Sequence, residues 1–207
     1  MGARLPPIDL LEATNLACVR GGRIVFRDVT IRVTRGQALV VEGPNGAGKT
    51  SLLRLIAGLL SPADGSIAIS ADGTRIDDRE ERGAFIGWLG HQDGAKPQLT
   101  PREVLQFFAQ VYGAASDPSL LQIVGLSSAA DLPCQYLSAG QKKRLALARL
   151  KLCGCQLWLL DEPLASLDAS GKLLLLELLR DHLSAGGMAV IATHESVGFD
   201  AKRLQLT

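Results

Sequence analysis

No stretch of this 207-residue sequence is apolar for long enough to cross a bilayer. The uncharged apolar run at residues 152–160 covers about half of the roughly 20 residues a membrane helix needs. The start, Met1-Gly2-Ala3-Arg4-Leu5-Pro6-Pro7, lacks the apolar core of a secretory signal. Pro6 also stands where a myristoylation signal needs Ser or Thr. A chain soluble by itself is expected. Charge of one sign is lacking too. Lys and Arg total 22 against 21 Asp and Glu, and the longest basic run is Lys142-Lys143-Arg144. A phosphate-tracking face is therefore not expected, and nucleic acid is set aside as a partner. The balance leaves a membrane partner open. The four cysteines, Cys18, Cys134, Cys153 and Cys155, show no C-x-x-C spacing. Zinc ribbons, thioredoxin-like sites and haem-attachment motifs are excluded on that ground, and a reducing compartment is expected. Cys153 and Cys155 flank Gly154 before an apolar strand and read as packing residues. No internal repeat or low-complexity segment interrupts the chain.

What is present is a composition able to form a core: 47% hydrophobic and 21% charged residues. Residues 8–42 alternate apolar and polar in short runs, which predicts antiparallel strands broken at Gly21-Gly22. Ala38-Leu39-Val40-Val41 is a continuous apolar strand. Residues 51–60 predict a helix with Leu52, Leu55, Ile56 and Leu59 on one face. Ala71-Asp72-Gly73 marks a hairpin between 66–70 and 74–76, and 84–89 read as another strand. Thr100-Pro101-Arg102-Glu103 is a capping box with Pro at the first helical position. The helix behind it places Val104, Leu105, Phe108, Val111 and Tyr112 on one face. Asp117-Pro118 opens a further helix that Gly125 closes. Residues 157–160 and 189–192 predict buried strands, and 173–182 a helix between them. The sum is an α/β protein with a mainly parallel core sheet, an antiparallel β subdomain and an α-helical lobe. One unit over 8–207 is expected, with the lobe at about 93–150 inserted between core segments 8–92 and 151–207.

Gly43-Pro44-Asn45-Gly46-Ala47-Gly48-Lys49-Thr50 matches G-x-x-x-x-G-K-[ST] between a predicted strand and helix. Glycines let the backbone curl until successive N–H groups converge on phosphate oxygens, and the helix start adds partial positive charge. Lys49 is expected to reach the β and γ phosphates. Thr50 is expected to ligate Mg²⁺, and Ser51 to complete the nucleotide contacts. ATP and Mg²⁺ are the cofactors this motif calls for.

Leu157-Trp158-Leu159-Leu160-Asp161-Glu162 is an apolar strand ending in two carboxylates. Ligands bind at strand ends in open α/β sheets. Neighbouring side chains on an extended chain point apart, so Asp161 is expected to serve Mg²⁺ and Glu162 to polarise the attacking water. Ser138 and Gln141 form a second capping box before a helix bearing Leu145, Ala148 and Leu152. Taken alone, that turn is an ordinary capped helix.

With these motifs in order, the chain resembles the ATP-binding-cassette (ABC) ATPase family, a branch of the P-loop NTPases, over about residues 10–200. Leu137-Ser138-Ala139-Gly140-Gln141 is similar to the family signature L-S-G-G-Q, with Ala139 replacing the first glycine. The resemblance implies that Gln92 is the Q-loop residue, serving Mg²⁺ and coupling. It also implies that Asp168, in Ser166-Leu167-Asp168, belongs to the D-loop. His194 follows a strand and by itself reads as structural; the resemblance implies a switch histidine on the γ-phosphate. His182 reads as a solvated helix residue. The aromatic that stacks on adenine in the family is replaced by Arg20, whose guanidinium plane can stack on a base. The resemblance further implies a two-fold homodimer, because each signature turn caps ATP held by the other copy.

Within the family, the run Trp88-Leu89-Gly90-His91-Gln92-Asp93-Gly94-Ala95-Lys96, the signature segment through Leu150 and the short tail after His194 are similar to ATP-binding subunits that power haem export in cytochrome c maturation. That implies integral membrane partners and a peripheral place on the cytoplasmic side of a bacterial inner membrane. Nothing in the sequence looks like a haem pocket, so haem contacts fall to the partners. Export of another substrate, such as a lipid or drug, and a non-transport ABC protein acting on ribosomes or DNA are the competing readings.

Overall fold

The computed structural model describes residues 5–90, 95–195 and 197–207. The chain opens with two long strands, β1 (Ile8–Arg20) and β2 (Arg23–Thr34), joined at Gly21-Gly22. They pair antiparallel, and β4 (Asp64–Ala71) and β5 (Thr74–Ile76) extend the sheet in the order β2-β1-β4-β5. The second sheet is parallel, in the order β6-β7-β8-β3-β9. Its strands are β3 (Ala38–Glu42), β6 (Ile86–Leu89), β7 (Leu157–Asp161), β8 (Met188–Ala192) and β9 (Lys202–Gln205). Every residue of β7 and β8 is buried, as expected when helices or another layer cover both faces.

Period-two alternation divides those strands between two cores. Leu39, Val41, Leu157, Leu159, Met188 and Val190 face the antiparallel sheet and α1 (Lys49–Ile56). Val40, Trp158, Leu160 and Ile191 face α5 (Ala139–Cys153) and α6 (Ala169–Ser184). A third apolar cluster joins α3 (Pro101–Tyr112), α4 (Ser119–Ile123) and the outer face of α5 through Val104, Leu105, Leu121, Val124, Leu145 and Ala148. α5 therefore packs on both sides, against the sheet and against α3 and α4.

Several expectations needed correction. The helix expected over 51–60 is α1, which starts at Lys49 and ends at Ile56. Leu59 lies 65% exposed because the chain leaves the helix at Gly58, φ +75°. The expected strand 84–89 begins only at Ile86. A short helix, α2 (Arg79–Gly83), precedes it, capped by the Asp78 carboxylate accepting from Glu80 N and Glu81 N. Val111 and Tyr112 continue the apolar face of α3 but are exposed. β9 had no apolar signature, since its Lys202, Arg203 and Gln205 are exposed and it joins the sheet through its backbone pairing with β3 and an Arg203–Glu42 ion pair. Both capping boxes form, at Thr100–Glu103 and Ser138–Gln141. His182 is not a solvated helix residue. Its ring stacks on Trp158 with centroids 4.0 Å apart, and Nε2 lies 3.0 Å from the Met188 carbonyl. Burial holds that imidazole below its usual pKa.

Candidate functional site

The turn after β3 can only be made by glycine at two points. A Cβ on Gly43 (φ +150°) would sit 2.5 Å from the Leu206 carbonyl, and one on Gly48 (φ +97°) would strike Val25 and Phe26. Freed of side chains there, the backbone curls and α1 begins at once, its first bond running from Leu52 N to Gly48 O at 2.8 Å. Lys49 is buried at the first turn, and its Nζ donates to the carbonyls of Gly43 (2.7 Å) and Pro44 (3.3 Å). Those carbonyls hold the ammonium inside the loop, beneath the surface a phosphate would approach.

The next residue reaches across to the parallel sheet. Thr50 Oγ1 donates to the Asp161 carboxylate, 3.0 Å from Oδ1 and 2.9 Å from Oδ2. Asp161 ends β7 and is 3% exposed. A hydroxyl and a buried carboxylate side by side are hard oxygen donors, the set a small divalent cation takes. The residues present thus fit Mg²⁺.

Glu162 departs from extended backbone. Its φ of +46° is rare for a side-chain-bearing residue, and its N–H bonds to Ala192 O at 2.8 Å. That bond ties the ends of β7 and β8 together. It brings the mostly buried Glu162 carboxylate to His194, two residues beyond β8, with Oε2 3.1 Å from Nδ1. The imidazole itself is exposed. Left-handed backbone at a carboxylate is the kind of strain that gathers at functional sites.

An open cleft of about 400 Å³ joins these groups. It is lined by Asn45, Gly46, Gly48, Lys49, Thr50 and Ser51 of the loop and helix start, by Asp161 and Glu162, and by Arg20, Val25 and Arg54. Arg20, at the tip of the β1–β2 hairpin, is thus placed at the cleft. Arg54 was missed from the sequence. It stands four residues after Thr50 on α1, and helical spacing alone would have put it on the same face.

The Ser138 turn stands elsewhere. Ser138 and Ala139 are exposed, and among the described residues none of 138–141 lines the cleft. Ser138 Oγ accepts from Gln141 N and the Gln141 side chain accepts from Ser138 N, so the turn is stiff. A Cβ on Gly140 would lie 3.0 Å from Ser166 O, so the turn presses on the loop before α6. One helical turn further, Arg144 Nη2 donates to Asp168 Oδ1 (2.7 Å) and Ser170 Oγ (2.6 Å). Asp168 caps α6 through Gly171 N at 2.8 Å. The Arg144 guanidinium, with that backbone bond and Ser170, holds the Asp168 carboxyl down at about 2. Arg144 was not singled out from the sequence, having been read only as part of a basic run. Gln92 and its neighbour His91 lie outside the described residues.

A strand-loop-helix phosphate cradle, an acidic strand end and a capped turn on a parallel sheet now stand together. The ABC transporter family model matches residues 26–165, which span the cradle, the turn and the acidic pair. The chain belongs to the ABC transporter family. As an ABC ATP-binding subunit it binds nucleotide. It is 44% identical over 191 residues to the "Cytochrome c biogenesis ATP-binding export protein CcmA" of Hyphomonas neptunium, covering 92% of each chain. It is 46% identical over 198 residues to the protein of the same name from Rhodopseudomonas palustris, covering 95% of this chain and 97% of that one. Among solved structures, the "Structure of ATP binding subunit of ABC transporter" superposes with a TM-score of 0.79 at 29% identity, over 89% of this chain and 79% of the other. The α/β fold expected from the sequence is the fold of these ABC ATPases.

Proposed function

We propose that this chain is the ATP-hydrolysing subunit of an ABC export complex, and that the complex is the haem exporter of c-type cytochrome biogenesis. The meeting of Lys49, Thr50, Asp161 and Glu162 in one cleft carries the ATPase reading. The export reading is supported by the names of relatives that match this chain along almost its whole length. The segment 8–207 then acts as one ATPase unit whose helical lobe, at about 93–150, has its own apolar cluster.

In this mechanism the backbone N–H groups from Asn45 to Ser51 bind the phosphates, with Gly43 and Pro44 shaping the loop, and Lys49 leaves its two carbonyls for the β and γ oxygens. Arg20 lies flat against the base. Thr50, Asp161 and Gln92 would hold Mg²⁺, which when bound neutralises charge on the phosphates. Glu162 accepts the proton of the attacking water, a contribution of roughly 10²–10⁴ in rate. His194, bonded to Glu162, holds that carboxylate in place and reaches the γ-phosphate from its exposed edge.

Ser138, Ala139, Gly140, Gln141 and Asp168 serve the cleft of a second copy. A stiff, exposed turn that does not face its own cleft is what such an arrangement needs, and two copies placing ATP between them make an isologous dimer. The extra methyl of Ala139 slows turnover without preventing closure. None of the described helices is long and apolar enough to cross a membrane. The subunit is therefore assigned a peripheral place on integral membrane subunits at the cytoplasmic face of the inner membrane, and haem contacts belong to those subunits.

Two measurements test this separately. An E162Q variant with ATP and Mg²⁺ is expected to run as a dimer on size exclusion and to hold unhydrolysed ATP. A persistent monomer would remove the dimer mechanism. Deleting the gene is expected to abolish covalent haem staining of c-type cytochromes. Normal staining would remove the haem assignment and leave the ATPase reading intact.

A further inference from the structure

Cys153 and Cys155 have no part in the chemistry above. Gly154 ends α5 in left-handed backbone, φ +62°, and turns the chain back on itself. Cys155 N–H consequently donates to Cys153 Sγ at 3.4 Å, and the Cys155 thiol lies 3.7 Å from the Cys153 carbonyl. The Cys153 thiol lies 2.9 Å from the Leu150 carbonyl, so both sulfurs sit at the turn that closes α5. Both cysteines are partly exposed and line a cavity of about 870 Å³ with Pro7, Tyr112 and Gly186. Cys18 and Cys134, by contrast, are buried.

The pair is chemically unequal. The neighbouring Cys155 side chain, with the Cys155 N–H and the Arg149 guanidinium, holds the Cys153 thiol below its usual pKa against the effect of burial. The Cys153 side chain beside it, with burial, pushes the Cys155 thiol up. One sulfur leans toward thiolate, the nucleophilic form. The other keeps its proton. Among the described residues no group of three His, Cys, Asp or Glu side chains could hold a metal, and a structural zinc takes four ligands.

We propose that Cys153-Gly154-Cys155 is an oxidation site, with Cys153 as the attacking thiol and Cys155 as the resolving thiol of a reversible intramolecular disulfide. The oxidant is a hydroperoxide, hydrogen peroxide being the simplest. Cys153 sulfur attacks one peroxide oxygen, the O–O bond breaks and the departing hydroxide takes a proton to leave as water. Cys153 is then a sulfenic acid. Cys155 sulfur displaces its hydroxyl: the S–S bond forms, the S–O bond breaks and the Cys155 proton leaves with the hydroxyl as a second water. The two thiols lose two electrons and two protons, and the peroxide becomes two waters. A bridge over a single residue is strained and therefore easily reduced by thiols. It would tie the last turn of α5, whose first turn carries Ser138, to the segment entering β7.

The test exposes the reduced full chain to equimolar hydrogen peroxide, then alkylates it under denaturing conditions and maps the peptides. Two of the four thiols are expected to become unreactive. Tryptic peptide 152–172 should be lighter by two hydrogens, and dithiothreitol should restore it. C155S is expected to stop as a Cys153 sulfenic acid that a cyclic dione traps, whereas C153S leaves Cys155 reduced. Retention of all four thiols, oxidation of Cys18 or Cys134 as fast as Cys153, or Cys153 sulfinic acid without the disulfide overturns the proposal.

Discussion

The phosphate cleft and the Ser138 turn are both loop-to-helix junctions opened by small residues, yet they are built to opposite ends. The cleft turns its groups inward: Lys49 is buried, Thr50 is bonded to Asp161 and Glu162 is held by His194. The turn points its groups outward, and its stiffness comes from its own capping box and from Arg144 clasping Asp168. A cleft that is complete in one chain should bind nucleotide by itself. A turn that faces solvent can act only on something outside its own chain.

The sharpest way to break that contrast is K49A. It is expected to abolish ATP binding by calorimetry, and unchanged affinity would mean that the cleft is not the nucleotide site. Next is E162Q, expected to lower turnover by roughly 10²–10⁴ while ATP affinity stays within a few-fold. A matching loss of affinity would show that Glu162 binds rather than activates. S138A separates the two junctions most directly. Loss of the cap should lower stability by about 1 kcal/mol, and turnover should fall while the affinity of the monomer for ATP holds. R20A is expected to weaken ATP binding only a few-fold, because the phosphates carry most of the grip.

The smallest effect is one of pH. The Asp168 carboxyl is depressed to about 2 by Arg144, so its contribution is present above the unfolded carboxylate range, near pH 4, and is lost as pH falls toward 2. Melting temperatures of the wild type and D168N should differ at pH 6 and converge toward pH 2. The exposed position of Asp168 keeps that difference small.

Buried strands and capped helices were legible because each leaves a local signal. β7 and β8 are runs of apolar residues, and Thr100–Glu103 and Ser138–Gln141 are spacings that only a helix start rewards. β9 left none, because an edge strand pairing through its backbone does not need apolar side chains. Leu59 and Val111 misled because periodicity continues past the point where burial stops. At the site, Lys49, Thr50 and the overlooked Arg54 could be read from spacing, whereas Arg144 could not, since it matters only through what lies across from it.

The order of residues around Gly43, Asp161 and Ser138 was enough to establish a nucleotide-binding α/β chain of the ABC type. Glycine placement, strand apolarity and cap spacing act over a few neighbouring residues and do not depend on the rest of the molecule. Tertiary structure alone decided that Thr50 meets a carboxylate 111 residues away. It also decided that Glu162 finds His194 across two strand ends, that the Ser138 turn lies outside its own cleft, and that the Cys155 N–H reaches the Cys153 sulfur. Each is a matter of which surfaces the parallel sheet brings face to face, and that follows from packing the whole chain rather than from any segment of it.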